Sequence, residues 1–233
     1  MKKVGKKRST NGRTSKARAQ GRGAAQAAVA DLAPELVELL YQALETEEGG
    51  VLIYRAALEC VQNQDLRAEW EEYLEQTERH VEVMNALFEQ LGLDTERDEP
   101  GRQVVREIGT ALVRSMKLAR AKGTPEAAEL AACEAVVLAE TKDHLNWSLL
   151  GELSKDLQGD AGEAIATAVE EVEDEEDEHL YHSQGWTREL WLDNLGLAAE
   201  LPPVEEAEHV ESEEEAVKAR KKAKKRKQAK ARR

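Results

Sequence analysis

The chain has 233 residues, with 47 acidic against 33 basic side chains and a formal charge of −14. Phe, Trp and Tyr total nine while Ala, Glu, Leu, Lys and Arg dominate, which favours an all-helical protein with one core of ordinary size. No apolar run approaches the roughly 20 residues of a membrane span, and the basic N-terminus lacks the apolar stretch of a secretory signal. Cys60 and Cys133 lack CxxC or Cys/His spacing, so the expectation is two buried reduced thiols in a cytoplasmic chain with no membrane partner.

The net charge averages unlike segments. Residues 1–23 carry nine Lys or Arg and no acid, and residues 218–233 carry eleven and no acid. The remaining thirteen basic residues face all 47 acids, a net near −34 for the middle of the chain. Residues 1–28, without apolar periodicity, are expected to be a disordered basic tail. The body spans 29–200. A first helix starts near Asp31 to Pro34, with Pro tolerated in its first turn, and runs to about Val61. The link Gln62-Asn63-Gln64-Asp65 permits an antiparallel return. A second helix then carries the stripe Leu66, Trp70, Tyr73, Thr77, His80, Met84, Leu87 to about Leu91.

Pro100-Gly101 breaks the pattern, and a shorter amphipathic helix is expected from Val104 to about Ala121. Thr124 is a good N-cap with Pro125 at the first position of a third long helix, reaching about Leu157. Asp160 with Glu163 reads as a capping box for a fourth, which extends to about Leu195. An acidic linker (201–217) and a disordered Lys/Arg-rich tail (218–233) are expected to follow. The order hairpin, crossover, hairpin predicts an antiparallel four-helix bundle, because each hairpin alone would expose its apolar stripe.

Three of the stripes are interrupted by acids. Glu47 falls between Ala43 and Val51, Glu140 between Val137 and Trp147, and Glu176 with His179 between Val172 and Trp186. A buried carboxylate is costly without a hydrogen bond, an opposite charge or a metal ion. Placing Glu47 on Glu140 puts Tyr54 on Trp147, and placing His80 on His179 puts Leu66 on Ile165, so the chain reads as a duplicated helix pair with acids aimed at a shared interior.

This pattern resembles the ferritin-like superfamily of dimetal-carboxylate bundles, closest to rubrerythrin-like and small bacterial ferritin-like proteins, over about residues 31–197. That family takes a Glu from each of two helices and a Glu-x-x-His from each of the other two. The resemblance implies Glu47, His80, Glu140, Glu176 and His179 as metal ligands, with Glu176 bridging and each His binding one ion. The cofactor it implies is iron or manganese, dinuclear if complete, which suits carboxylate oxygens with one imidazole per metal. Thr77 stands where the family places the second helix's Glu. Gln76 or Thr77 offers only a neutral oxygen there, while Glu75 and Glu78 lie ~140° or more from the His80 direction. An active centre would make the chain a di-iron or di-manganese oxidoreductase handling peroxide or iron in stress protection.

The rival reading is a metal-free scaffold in which the buried Glu and His residues pair with one another. Most of the acid run 173–178 is then solvated face. His144 and His182 are read as supporting or surface residues, and Tyr54 and Trp147 as core. A third class is a helical stress protein that only forms a homo-oligomer. The C-terminal run offers Lys218, Arg220, Lys221, Lys222, Lys224, Lys225, Arg226 and Lys227 to a polyanion. With no aromatic to stack on bases, such a tail neutralises phosphates without reading sequence, so nucleic acid is the expected partner. A solubilising tail, or one that folds against the acidic body of a neighbouring copy, is the alternative.

Overall fold

The computed structural model describes residues 32–210 and 212–231; the expected N-terminal tail (1–28) lies outside them. Every regular element among the described residues is helical: α1 (Pro34–Leu58), α2 (Gln64–Leu91), α3 (Pro100–Lys122), α4 (Pro125–Asp156), α5 (Asp160–Asn194), α6 (Val204–Ala207) and α7 (Glu213–Ala231). The all-α expectation holds. No helix among the described residues is long and apolar enough to cross a membrane.

Local chemistry sets most of the boundaries. Pro34 opens α1, and the Asn63 side chain accepts from the amides of Asp65 and Leu66 to start α2. Thr124 caps α4 by accepting from Ala127 N at 3.2 Å. The capping box expected at Asp160 is absent. Gly159 occupies the cap position with no side-chain bond, and Asp160 is the first helical residue, where its charge complements the helix dipole instead. The crossover helix is longer than expected. It begins at Pro100 rather than near Val104, and two arginines clamp it to α1: Arg102 bonds Glu45 and Glu48, and Arg106 bonds Glu45.

The four longest helices other than α3 surround a common interior: α1 packs on α2 and α4, and α5 packs on α4 and α2. Two apolar clusters fill it. One gathers Ile53, Tyr54, Trp70, Tyr73, Val136 and Trp186; the other gathers Leu44, Met84, Phe88, Trp147, Leu150 and Val172. On each of these four helices the polar station falls between the residues of the two clusters. Glu47 lies between Leu44 and Ile53, His80 between Tyr73 and Met84, Glu140 between Val136 and Trp147, and Glu176 between Val172 and Trp186. The carboxylates are therefore sealed by apolar packing at both ends. Gly50 permits close packing beside this layer, because a Cβ there would meet Thr77 Cγ2 at 3.1 Å.

The C-terminal segment departs most from expectation. Residues 218–231 are not disordered but lie within helix α7. Ala216, Ala219 and Ala223 recur at helical spacing and pack against Leu180, Tyr181, Val204 and Val210. The 201–217 segment, expected as an acidic linker, holds the short helix α6 and the first residues of α7. Its Glu205 is fully buried, and its carboxylate accepts from Arg188 of α5 and Arg220 of α7 at 2.8 Å each. Gly185 leaves room for it, since a Cβ at that position would meet Glu205 Oε2 at 2.9 Å.

Candidate metal centre

Glu47, His80, Glu140, Glu176 and His179 all reach the same interior, and none is more than 4% exposed. Two triads have ligand atoms within 4.8 Å of one another: Glu47, His80 and Glu176, and Glu140, Glu176 and His179. Glu176 belongs to both. His80 Nδ1 stands 2.8 Å from Glu176 Oε1 and 3.7 Å from Glu47 Oε1. His179 Nδ1 stands 3.6 Å from both Glu140 Oε2 and Glu176 Oε1. The two imidazoles stack with centroids 5.7 Å apart.

Each ring is held from behind, and in a matching way. His80 Nε2 donates to Glu175 Oε2 at 2.8 Å, and His179 Nε2 donates to Gln76 Oε1 at 2.7 Å. Glu175 is four residues before His179, and Gln76 is four before His80, so each helix steadies the other helix's histidine. With Nε2 protonated, each neutral ring turns its Nδ1 lone pair toward the carboxylates. That orientation suits metal ligation and is repulsive without a proton or cation between the groups.

The remaining polar groups support the same geometry. Trp147 Nε1 donates to Glu47 Oε1 at 2.7 Å. Thr77, at the position where the resemblance misses a carboxylate, donates its hydroxyl to Tyr73 O at 2.8 Å and supplies no ligand. Asp143, one turn beyond Glu140, is 4% exposed. Sequence reasoning missed it, although its spacing from Glu140 was the available signal. Burial pushes its pKa well above the usual carboxylate range, reinforced by Glu47, Glu176 and Glu140. Burial raises Glu47 in the same way, with Glu176 adding to it and the Trp147 bond opposing it. For His80, burial alone would lower the pKa, but Glu176 and Glu175 outweigh it and the net shift is upward.

The donor set fits a metal. Glu47 Oε2, Glu140 Oε2, Glu176 Oε2, Asp143 Oδ1, His80 Nδ1 and His179 Nδ1 are all buried without a hydrogen-bond partner. Unsatisfied buried polar groups normally cost about 1–3 kcal/mol each, so six in one layer call for a ligand. Imidazole nitrogens with carboxylate oxygens can hold a divalent transition metal.

The other candidates divide. His144 pairs at 2.8 Å with Asp177 on the flank, and Tyr54 and Trp147 are buried as core. His182 is buried, with its Nδ1 2.9 Å from Tyr73 Oη. Within the run 173–178, Glu175 is engaged with His80 and Arg79 rather than left as solvated face. Cys60 and Cys133 are free and buried. On α7, Arg220 is committed to Glu205 and Lys218 pairs with Glu214. Lys222 and Arg226 pair with Glu208, and Lys227 with Glu200. Lys221, Lys224 and Lys225 are exposed.

No family model, curated protein or solved structure matches the chain.

Proposed function

We propose that the chain is a ferritin-like four-helix-bundle protein whose interior binds two divalent iron or manganese ions, with Glu176 shared between them. The observation that carries this reading is the layer of buried, unpartnered ligand atoms in two triads that meet at Glu176. Charge supports it as well: four buried carboxylates, Glu47, Glu140, Asp143 and Glu176, would balance two divalent ions with neutral histidines. Glu47 and His80 would hold one ion, and Glu140 and His179 the other.

Bound iron or manganese would supply one-electron redox chemistry toward a small oxidant such as peroxide. The chain's own residues bind, orient and shield. Glu175 and Gln76 fix the imidazoles, Trp147 fixes Glu47, and the two apolar clusters exclude bulk water. Burial pushes the Tyr54 and Tyr73 phenols well above their usual pKa, with Glu140 reinforcing Tyr54 and Glu69 reinforcing Tyr73, so both stay protonated beside the carboxylates. A cavity of about 300 Å³ between α2 and α5 has His80 and Glu175 in its wall, beside the proposed centre.

Anaerobic loading with Fe(II) or Mn(II) tests the reading. About two ions per chain are expected, falling below one in Glu176→Ala. Less than about one ion per chain in the unmodified protein, unchanged by Glu176→Ala, overturns it.

One observation favours a metal-free scaffold: His80 lies between Glu175 and Glu176, 2.8 Å from each, and as an imidazolium could satisfy both. That arrangement leaves Glu140 Oε2, Asp143 Oδ1 and His179 Nδ1 without partners, so the metal reading accounts for more of the layer.

A further inference from the structure

Helix α4 is apolar on two sides. Its inner side carries Leu130, Val136, Trp147 and Leu150 into the bundle. Its outer side carries Leu138, Leu145, Leu149 and Leu153, each between 39% and 61% exposed. At 3.6 residues per turn these four fall within about 80° of arc and run for about 22 Å. A helix that is apolar nearly all round normally has neighbours on every side. Here the described residues leave the outer side bare.

Two further observations say what kind of surface suits it. The exposed residues of α4 between Glu134 and Glu152 are Leu138, Thr141, Leu145, Ser148 and Leu149, so none is charged in a chain with 47 acids. Lys142 and His144, both half-buried, are engaged with Asn146 and Asp177. A surface depleted of charge in this way matches the core of a protein–protein interface and gives a polyanion nothing to hold. Beside Leu138 lies a small, largely apolar recess of about 40 Å³, with Val105 and Ile108 of α3 in its wall together with Gly49 and Gly109.

The spacing suits a second copy of the same chain. Around Leu145 the pattern is nearly symmetric: Leu138 lies seven residues before it and Leu153 eight after, Thr141 four before and Leu149 four after. Antiparallel pairing of two α4 helices about a two-fold axis at Leu145 sets Leu145 on Leu145. It also sets Leu153 of each copy against Leu138 of the other, beside the recess. Residue i then meets j and j meets i, as an isologous contact requires. The charges toward the ends agree with this register. Lys155, which in the single chain pairs with the exposed Glu152, comes to Glu134 of the other copy on the same flank of the stripe. Parallel pairing would instead stack Glu134 on Glu134 and Glu152 on Glu152. We propose that the chain is a homodimer joined along α4 in the antiparallel register. The contact lies on the outer side of α4, away from the buried Glu140 and Asp143, and it forms whether or not the bundle holds metal.

Sedimentation equilibrium of the full-length chain at about 10 µM is expected to give a dimer, within the reach of an interface of standard size. Working in about 0.5 M NaCl, where screening leaves charges a range of only a few ångström, keeps the basic segments from bridging two acidic bodies. Leu145→Glu places two like charges on the two-fold axis. It is expected to give a monomer of unchanged helicity by circular dichroism, because Leu145 is half exposed in the single chain. Leu145→Cys tests the register. Mild oxidation is expected to cross-link it into a dimer, while the unmodified chain, with Cys60 and Cys133 buried, stays uncross-linked. Leu138→Cys is expected to cross-link only when mixed with Leu153→Cys. A monomer in the unmodified chain, a dimer that survives Leu145→Glu, or a failure of Leu145→Cys to cross-link overturns the proposal.

Discussion

Trp147 and Glu47 lie 100 positions apart in the chain yet are joined by a 2.7 Å hydrogen bond across the interior. Glu47, Glu140, Glu176 and the two histidines were legible because each interrupts an apolar stripe at helical spacing. Periodicity gives a direction around one helix, but not the partner met across the interior. Glu175 was hidden in an acid run, and only the approach of α2 shows that it bonds His80. Asp143 was hidden beside Lys142, although it is buried and within electrostatic reach of Glu47, Glu176 and Glu140. Replacing Trp147 by Phe keeps most of the packing and removes the donor to Glu47. The expected cost is about 1–3 kcal/mol of stability in the metal-free chain, read by urea unfolding. Metal loading should shrink that difference, because an ion would then compensate Glu47. An equal loss with and without metal would mean that Glu47 does not face the ion.

At the scale of elements, α7 shows why composition misleads. A stretch this rich in lysine and arginine reads as a tail, yet Ala216 and Ala219 give it a narrow apolar edge that is buried on α5 and α6. The anchor is Glu205, which faces Arg188 on α5 and Arg220 on α7, with Glu189 beside Arg188. Burial alone would raise the Glu205 pKa, but the two arginines outweigh it and hold it below the ordinary glutamate range. A depressed carboxylate contributes stability that is present above its unfolded pKa and lost as pH falls through the folded value. Hydrogen exchange in residues 213–231 should therefore stay slow near neutrality and accelerate once pH falls below the ordinary glutamate range, after correction for intrinsic exchange rates. Glu205→Gln should accelerate it already at pH 7. Equal protection in the variant would show that the alanine edge alone docks α7.

For the whole molecule, the all-helical class and the four long helices could be read from stripe length and breaker residues. The clamp between α3 and α1 could not, because nothing local distinguishes Arg102 from a surface arginine. Charge is distributed differently from the sequence expectation. Part of the basic run is turned onto the chain's own acids, at Glu205, Glu208 and Glu200. We infer that a polyanion would meet chiefly Lys221, Lys224 and Lys225, in competition with those internal pairs. Deleting residues 218–233 is then expected to weaken nucleic-acid binding and flatten its salt dependence in a mobility-shift titration. Affinity and slope both unchanged would remove the helix as the contact.

The matched bracing of the two histidines is nearly a two-fold relation, and its one chemical inequality has a consequence for filling. His80 leans on a carboxylate, Glu175, whereas His179 leans on an amide, Gln76. A carboxylate behind an imidazole makes it the stronger electron donor. The two seats of the proposed centre are thus unlike, and a titration should run in two steps, with the His80 seat taken first. Glu175→Gln would level the bracing and merge the steps into one.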